Sequence, residues 1–399
     1  MRNEWRSNMW MAIQLVIVSV ILWFLFIGVW SLVNMSMRNK GYDVSDLYIG
    51  DIKTLQEGSI GYQPYDDEHS AYTDYMLLMT QIRSNPNVEI ATAGINAATY
   101  RLNAYNTSIN SDSITYYGNR RVVTPDVIRL YRLESPDGLS TEQLAEVIER
   151  GELIISRPDV SDDCDNLRSF IDKDVFVGND SSVVRHVGAL AYGLRRKDYE
   201  PQRGVIYTPL PENIVPAQLL IRIRPGRDME FRESLNTADL RVGNVYISGL
   251  APISSYQKSS QLDDEINMRN YMICASFLMI VIFLGFLGTF WFRTQQRVEE
   301  IAVRIVNGAT RVDIFRRFIG EGMILLCIAT LIAIPIEIML LHYDLIAVDT
   351  YTVITFKSIE IYQSFAFVLV SLGLLIVAGI WFPGRKAMNI NPATALKDL

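Results

Sequence analysis

Four long apolar segments constrain the fold of this chain more than any other feature of its sequence. They run from Trp10 to Val33, Tyr271 to Phe292, Phe318 to Leu341 and Ile361 to Trp381. A helix of about 20 residues is about 30 Å long, which matches the hydrocarbon core of a bilayer. The third segment alone carries charged side chains, Glu321 and Glu337, each placed near an end where it is expected to reach water or an arginine. The pattern predicts an α-helical membrane protein.

The first apolar segment is predicted to remain in the protein as a membrane span. A cleaved signal peptide has a shorter apolar centre, of about 7–15 residues, followed by a site of small residues. Here the apolar run continues through Leu25 and Trp30, and no Ala-x-Ala site follows it.

Positive charges flanking the spans predict their orientation. Arg2 and Arg6 precede the first span, and six arginines lie between the second and third spans. The segment between the third and fourth spans carries only Lys357 against three acidic residues. Because positively charged loops stay in the cytoplasm, both termini and the arginine-rich loop are predicted to be cytoplasmic, in an inner membrane. The long segment after the first span is then outside the cytoplasm.

The long outer segment is predicted to be a folded α+β domain. Helical spacing predicts a helix at 74–84, and a cap at Ser140 or Thr141 starts a second helix that runs to Arg150 and stops at Gly151. Strand-like runs lie at 88–93, 152–156, 174–177, 204–207 and 218–223. The predicted organisation is a cytoplasmic N-terminus (1–9), transmembrane helices (10–33, 270–292, 318–341 and 361–382), a periplasmic α+β domain (34–269), a cytoplasmic loop (293–317), a short outer loop (342–360) and a cytoplasmic tail (383–399).

Several functions are excluded by charge and by missing motifs. The net charge of −7 argues against nucleic acid as a partner, because phosphate binding needs concentrated lysine and arginine. The three cysteines and three histidines are scattered, which fits neither a disulfide framework nor a metal site. The sequence has no phosphate-binding loop, H-E-x-x-H or G-x-S-x-G motif. We therefore expect no catalytic residue, cofactor or metal in the chain. The expected partners are membrane lipid and a protein that supplies energy.

The loop between the second and third spans has the pattern of a short surface helix followed by a tight turn. Glu300 and Arg304 are one helical turn apart, beside an apolar stripe that begins at Ile301. Gly308 suits a left-handed position after the helix, and Thr310 can cap the next helix. These residues alone leave two roles open: a topological anchor at the membrane surface, or a docking site for a soluble partner.

Two motifs resemble those of a known family. Residues 300–304 read E-I-A-V-R and residues 308–314 read G-A-T-R-V-D-I, which resembles the R-E-I-G-x-R-x-A-x-G-A-T-R-x-x-I signature of MacB/FtsX-like ABC transporter permeases. The ending P-G-R-K-A at 383–387, with N-P-A-T-A-L at 391–396, is similar to that family's P-x-R-x-A and x-P-x-x-A-L. The order of one span, an outer domain and three further spans is also the family's.

The sequence departs from the family signature at three positions. Glu299 replaces the usual basic residue, Ala302 replaces a glycine and Asn307 replaces an apolar residue. These changes leave the class intact but affect the contacts expected with a particular ATPase.

The resemblance implies a permease subunit of the MacB or lipoprotein-releasing LolC/LolE type without its own ATPase domain. Such a subunit forms a homodimer, or a heterodimer with a sister permease. It transmits the ATP-driven motion of a separate ATPase subunit to the periplasmic domain for efflux or for lipoprotein or peptide export. ATP is then bound by the partner, and a periplasmic adaptor is a further candidate partner. The residues implied in ATPase coupling are Glu299, Glu300, Ile301, Arg304, Gly308, Ala309, Thr310 and Arg311, with Glu321, Pro383, Arg385 and Pro392 in coupling or structural roles.

Two alternative functions stay open beside export. An FtsX-like regulator of periplasmic cell-wall hydrolases stays within the same family, although its outer domain is usually smaller than this one. A membrane-anchored ligand sensor is expected to carry a cytoplasmic output domain, for which the tail is too short.

Overall fold

The computed structural model describes residues 5–66, 70–101, 105–111, 114–157, 167–178, 183–200, 204–234, 240–343 and 359–388. The chain divides into two compact units. The helical unit comprises Met1–Asn34 and Asp264–Leu399, and the sheet-rich unit comprises Met35–Asp263. Several predicted features lie outside the described residues: residues 1–4 of the N-terminus, His69, Cys164, residues 344–358 of the short outer loop and the tail beyond residue 388.

The regular elements follow one another in an order that places all the strands between the first and second long helices. In chain order they are α1 (Trp5–Met37), β1 (Leu47–Thr54), α2 (Ala71–Arg83), β2 (Val88–Gly94), β3 (Asn106–Ser111), β4 (Ile114–Val123), α3 (Pro125–Tyr131), α4 (Thr141–Glu149), β5 (Leu153–Ser156), β6 (Asp174–Val177), β7 (Val184–Ala191), β8 (Val205–Pro209), β9 (Gln218–Ile223), α5 (Asp228–Ser234), β10 (Arg241–Val242), β11 (Val245–Pro252), α6 (Ile253–Gln296), α7 (Val298–Val306), α8 (Arg311–His342) and α9 (Ile359–Met388).

Four helices of the described chain are long and apolar enough to cross a membrane. These segments are Met9–Met37, Ile253–Gln296, Val312–His342 and Ile361–Arg385. The predicted fold class, four membrane helices with an α+β domain between the first and second, is confirmed. The helix α9 continues through Pro383, where the sequence predicts that the fourth span ends.

The four long helices pack around a shared apolar core in which a few polar side chains are paired. Leu22 and Trp23 of α1 are fully buried, as is Ile376 of α9. The indole N–H of Trp23 donates to the Ser364 hydroxyl at 3.0 Å. Such interhelical hydrogen bonds are favoured in a bilayer because lipid offers no alternative partner.

Glu337 is placed differently from its predicted position. It is only 2% exposed, and it accepts a hydrogen bond from the Ser19 hydroxyl of α1 at 3.3 Å. The prediction that Glu337 reaches water or an arginine was therefore wrong. The reason is the orientation of α8 about its axis, which directs the Glu337 side chain towards α1 and not towards the nearer end of α8.

The described strands of the sheet-rich unit form two β-structures. A five-stranded antiparallel sheet has the order β10-β11-β1-β9-β2, and α2 packs on it through Leu78, Met79 and Ile82. The remaining strands close into a barrel of order β3-β4-β8-β5-β7-β6. Its pairs are antiparallel except β4 with β8 and β5 with β7. Closure leaves the barrel without a free strand edge.

Local sequence signals account for the helix ends in this unit. The Ser140 hydroxyl accepts from the Gln143 amide and the Gln143 side chain accepts from the Ser140 amide, which forms a capping box at the start of α4. Gly151 follows the end of α4 with a φ of +83°. The Ser70 hydroxyl caps α2 in a similar way.

Candidate functional site

The candidate site is the corner formed by α7, the turn after it and the first turns of α8. The helix α6 ends at Gln296, and Arg297 is the one residue between it and α7. On α7, Ile301 and Ala302 are buried, whereas Val303 and Val306 are exposed. The predicted short amphipathic helix is therefore present and buries the face that begins at Ile301.

The turn after α7 is a Schellman motif. The Ala309 amide donates to the Arg304 carbonyl at 2.9 Å, and the Gly308 amide donates to the Ile305 carbonyl at 3.0 Å. Gly308 has a φ of +94°, a conformation that side-chain-bearing residues rarely adopt. A Cβ added at this position would meet no atom within 4 Å. The glycine is therefore required by the backbone and not by a neighbouring group.

Thr310 begins α8 with a second capping box. Its hydroxyl accepts from the Asp313 amide at 3.3 Å, and its own amide donates to the Asp313 carboxylate at 3.1 Å. The sequence predicted this cap, and the structure adds Asp313 as its reciprocal partner. The two motifs together fix the direction in which the chain leaves α7.

A chain of ion pairs joins α7, the α6–α7 junction and α8. Arg304 lies 2.6 Å from Glu300, Glu300 lies 3.8 Å from Arg317, Arg317 lies 3.5 Å from Glu321, and Glu321 lies 3.1 Å from Arg297. The Arg297 and Glu321 side chains are 16% and 15% exposed, while those of the other three are between 41% and 49% exposed. The shielded Arg297–Glu321 pair therefore contributes most to this link, since water screens the outer pairs.

The corner also forms a concave surface, which we call the α7–α8 pocket. Its lining residues are Arg297, Glu300, Ile301, Arg304, Ala309, Asp313, Ile314, Arg317 and Phe318. Ile301, Ile314 and Phe318 are buried and form an apolar floor. The rim carries both positive and negative side chains, a combination suited to a protein surface with an apolar anchor and charges around it.

The structure brings together some of the residues predicted from the sequence. Glu300, Ile301, Arg304 and Ala309 line the pocket, Gly308 and Thr310 form its turn, and Glu321 is tied to it through Arg297. The side chains of Glu299 and Arg311, and the whole of Pro392, lie outside the described part of the structure.

Pro383 and Arg385 lie on the last turns of α9 and not in the pocket lining. Pro383 is buried, and the neighbouring Gly384 approaches α8 so closely that a Cβ there would lie 2.8 Å from the Phe315 ring. Arg385 is exposed. Pro383 therefore fits a packing role between α9 and α8.

Sequence reasoning missed several lining residues. Asp313, Ile314 and Phe318 follow the turn at helical spacing, which was a usable signal once Thr310 was identified as the cap. Arg297 left no such signal, because its partner Glu321 is on another helix.

Comparisons with known proteins agree with the motifs. Residues 272–392 match the family model of the FtsX-like permease C-terminal region. The chain is 26% identical over 125 residues to the pyoverdine export ATP-binding/permease protein PvdT of Pseudomonas fluorescens. It is 27% identical over 118 residues to the macrolide export ATP-binding/permease protein MacB of Campylobacter jejuni. These matches cover 31% and 30% of this chain and 18% of either relative.

Two solved structures are similar to part of the chain. The extracellular domain of the noncanonic ABC-type transporter YknZ, from Gram-positive bacteria, is 10% identical with a TM-score of 0.30, and the match covers 50% of this chain and 100% of that one. The periplasmic region of MacB from Actinobacillus actinomycetemcomitans is 9% identical with a TM-score of 0.32, covering 54% and 93%.

The matched residues 272–392 include the α7–α8 pocket, its Schellman turn and three of the four membrane helices. Residues 272–392 of this chain therefore match the FtsX-like permease C-terminal family, and the described part of the chain has four helices long and apolar enough to cross a membrane.

Proposed function

We propose that this chain is the membrane subunit of an ABC exporter and that its α7–α8 pocket receives a separate ATPase subunit. The pocket carries the proposal. It combines an apolar floor of Ile301, Ile314 and Phe318 with a rim that carries both positive and negative side chains. A topological anchor needs positive charge alone, whereas Glu300 and Asp313 add negative charge to the same surface.

The ion-pair chain supplies a route by which movement at the pocket reaches the membrane helices. Arg297 is the last residue before α7 and the first after α6, and it holds Glu321 of α8. A displacement of α7 therefore exerts a force on both α6 and α8. The helix α6 extends from Gln296 in the helical unit to Ile253 in the sheet-rich unit, so the motion has a continuous covalent path.

This mechanism transmits movement and needs no polar route through the spans. The described spans contain few ionisable groups, and Glu337 is hydrogen-bonded to Ser19 within the helix core. Both termini and the pocket are cytoplasmic in this proposal, the sheet-rich unit is periplasmic, and the permease is a homodimer or a heterodimer. ATP is bound and hydrolysed by the partner, and the cargo is a small molecule, lipoprotein or peptide.

Charge reversal at the pocket tests the proposal. We expect Glu300→Lys and Arg304→Glu to leave expression and membrane insertion unchanged but to lower the yield of copurifying ATPase at least fivefold. Arg316→Ala is the matched control, because Arg316 is exposed and does not line the pocket. Arg293 is unsuitable as a control, since it is 4% exposed with its guanidinium over the Phe290 ring. Equal ATPase yields from all these variants would contradict docking at this site.

A further inference from the structure

The segment from Tyr192 to Glu200, which follows β7, contacts the chain where it enters the sheet-rich unit and again shortly before it leaves this unit. The chain enters this unit at Met35, near the end of α1, and leaves it at Asp263, in α6. We call this segment the β7–β8 loop.

The β7–β8 loop is fastened to the barrel at two points. The Arg121 guanidinium of β4 donates to the Leu194 carbonyl at 2.7 Å. The Tyr207 hydroxyl of β8 donates to the Tyr192 carbonyl at 2.8 Å and accepts from the Leu194 amide at 2.9 Å. Arg121 is 4% exposed and Tyr207 is fully buried, so these bonds are shielded from water. The loop therefore moves with the barrel.

Arg195 connects the loop to the end of α1. Its guanidinium donates to the Met35 carbonyl at 3.1 Å and to the Asn39 carbonyl at 3.5 Å, and the residue is 4% exposed. The last carbonyls of a helix lack partners within the helix and carry partial negative charge. The buried Arg195 guanidinium therefore holds the end of α1 against the β7–β8 loop.

Asp198 connects the same loop to both chain segments at once. Its carboxylate accepts from the Lys40 ammonium at 2.8 Å, just beyond α1, and from the Gln257 amide at 2.7 Å, in the first turns of α6. It also accepts from the Tyr100 hydroxyl at 2.8 Å. Asp198 is 7% exposed. Burial would raise the pKa of this carboxyl, but the three donors outweigh it and hold the pKa below the ordinary value.

We propose that Asp198 is a positioning residue that keeps the exit of α1 and the start of α6 at a fixed spacing against the barrel. The inference rests on the proposed function, in which movement of α6 reaches the sheet-rich unit. The Asp198 carboxylate accepts from Lys40 after α1 and from Gln257 in α6. The β7–β8 loop that carries Asp198 is itself hydrogen-bonded to the barrel. Displacement of either segment therefore displaces the barrel and the other segment with it.

Two labelled positions test this role in the full chain with its copurified ATPase. Cys164, Cys274 and Cys327 are first replaced by serine, and a fluorophore is attached through Tyr117→Cys or, separately, Asn307→Cys. Tyr117 is 75% exposed on β4 of the barrel, and Asn307 is exposed in the turn after α7. The change in emission on trapping with ATP and vanadate is measured at each position.

We expect Asp198→Asn and Gln257→Ala to reduce the nucleotide-dependent change at position 117 at least fivefold and to leave that at position 307 unchanged. Lys258→Ala, an exposed neighbour on α6, is the matched control and keeps both signals. A merely structural role would not separate the two signals in a folded variant. If Asp198→Asn does not fold, the signals of the Gln257→Ala variant at positions 117 and 307 test the role of Asp198.

The outcomes separate the two proposals. Full signals at both positions in the folded Asp198→Asn and Gln257→Ala variants overturn the role of Asp198 and leave the proposed function standing. A parent protein without a nucleotide-dependent signal at either position contradicts the proposed function itself.

Discussion

One nitrogen of Arg297, Nη1, lies 3.1 Å from each carboxylate oxygen of Glu321, and this pair joins the α6–α7 junction to α8. Both side chains are largely shielded from water. The pair links positions that are separated by the whole of α7 and its turn. It gives the α7–α8 pocket a rigid connection to two membrane helices.

Removing the charge of Glu321 is expected to weaken this connection. Glu321→Gln leaves the shielded Arg297 guanidinium with a weaker acceptor, and we expect a loss of about 1–3 kcal/mol in the free energy of unfolding. Thermal unfolding of the detergent-solubilised chain measures the loss. Glu300→Gln is the control, since its pairs are half exposed and each contributes about 1 kcal/mol or less. Equal shifts for both variants would show that Arg297–Glu321 is not the stronger link.

The destabilisation caused by a substitution at Gly308 is expected to depend on how well the new residue tolerates a positive φ. The space around a Cβ is open, so the cost comes from the backbone alone. We expect Gly308→Asn to be mild and Gly308→Val to cost about 1–3 kcal/mol, with a matching loss of copurifying ATPase. The two variants are compared by pull-down at equal expression. A valine variant as active as the asparagine variant would mean that the turn can adopt another conformation.

The orientation proposed for the spans is testable with an impermeant thiol reagent. Ile60 is fully exposed in the sheet-rich unit and Asn307 is exposed in the turn after α7. In a cysteine-free background we expect Ile60→Cys to react in cells with a permeabilised outer membrane. Asn307→Cys and Lys397→Cys are expected to react only after the inner membrane is opened. Labelling at position 307 before the inner membrane is opened would show that the proposed orientation is wrong.

Acid is expected to release the contacts of Asp198. Its pKa in the folded protein lies below the ordinary value of 3.8, so the stability it contributes is present above that value and is lost as the pH falls through the folded pKa. We expect amide hydrogen exchange around Lys40 and Gln257 to be constant from pH 7 to about 4, after correction for intrinsic rates. Protection should fall below that range in the parent protein. Asp198→Asn should show weak protection at all pH values, and a parent-like profile for this variant would contradict the assignment.

The isolated chain is expected neither to bind nor to hydrolyse ATP. Its sequence has no phosphate-binding loop, and the proposed function assigns ATP to a partner subunit. Equilibrium binding of a labelled nucleotide and phosphate release are measured on material shown by mass spectrometry to be free of ATPases. Hydrolysis by such material would contradict the division of labour between the two subunits.

The sequence predicted those elements whose local pattern is strong. The four apolar segments, the cap at Thr310 and the turn at Gly308 depend on residues close in the chain, and all are present in the structure. The helix α4 was predicted from a cap at Ser140 or Thr141 and a stop at Gly151, and the structure identifies Ser140 as the cap and adds Gln143 as its capping-box partner.

The barrel could not be predicted from local sequence patterns. Its strand β3 reads N-T-S-I-N-S, and β4 contains Gly118, Asn119, Arg120 and Arg121, so neither shows a simple apolar alternation. Arg121 is buried because carbonyls from three other places, at Asn96, Ala98 and Leu194, meet its guanidinium. Such a position becomes favourable only when the chain brings those carbonyls together.

By itself, the sequence determined the membrane helices, the presence of a folded domain between the first two, and the motifs of the α7–α8 corner, because hydrophobic length and local capping act over a few turns of chain. Only the tertiary structure decided that Arg297 meets Glu321, that Glu337 faces Ser19, and that Asp198 receives Lys40 and Gln257. Each of these contacts joins residues on different elements, and their pairing depends on how helices and strands rotate and pack.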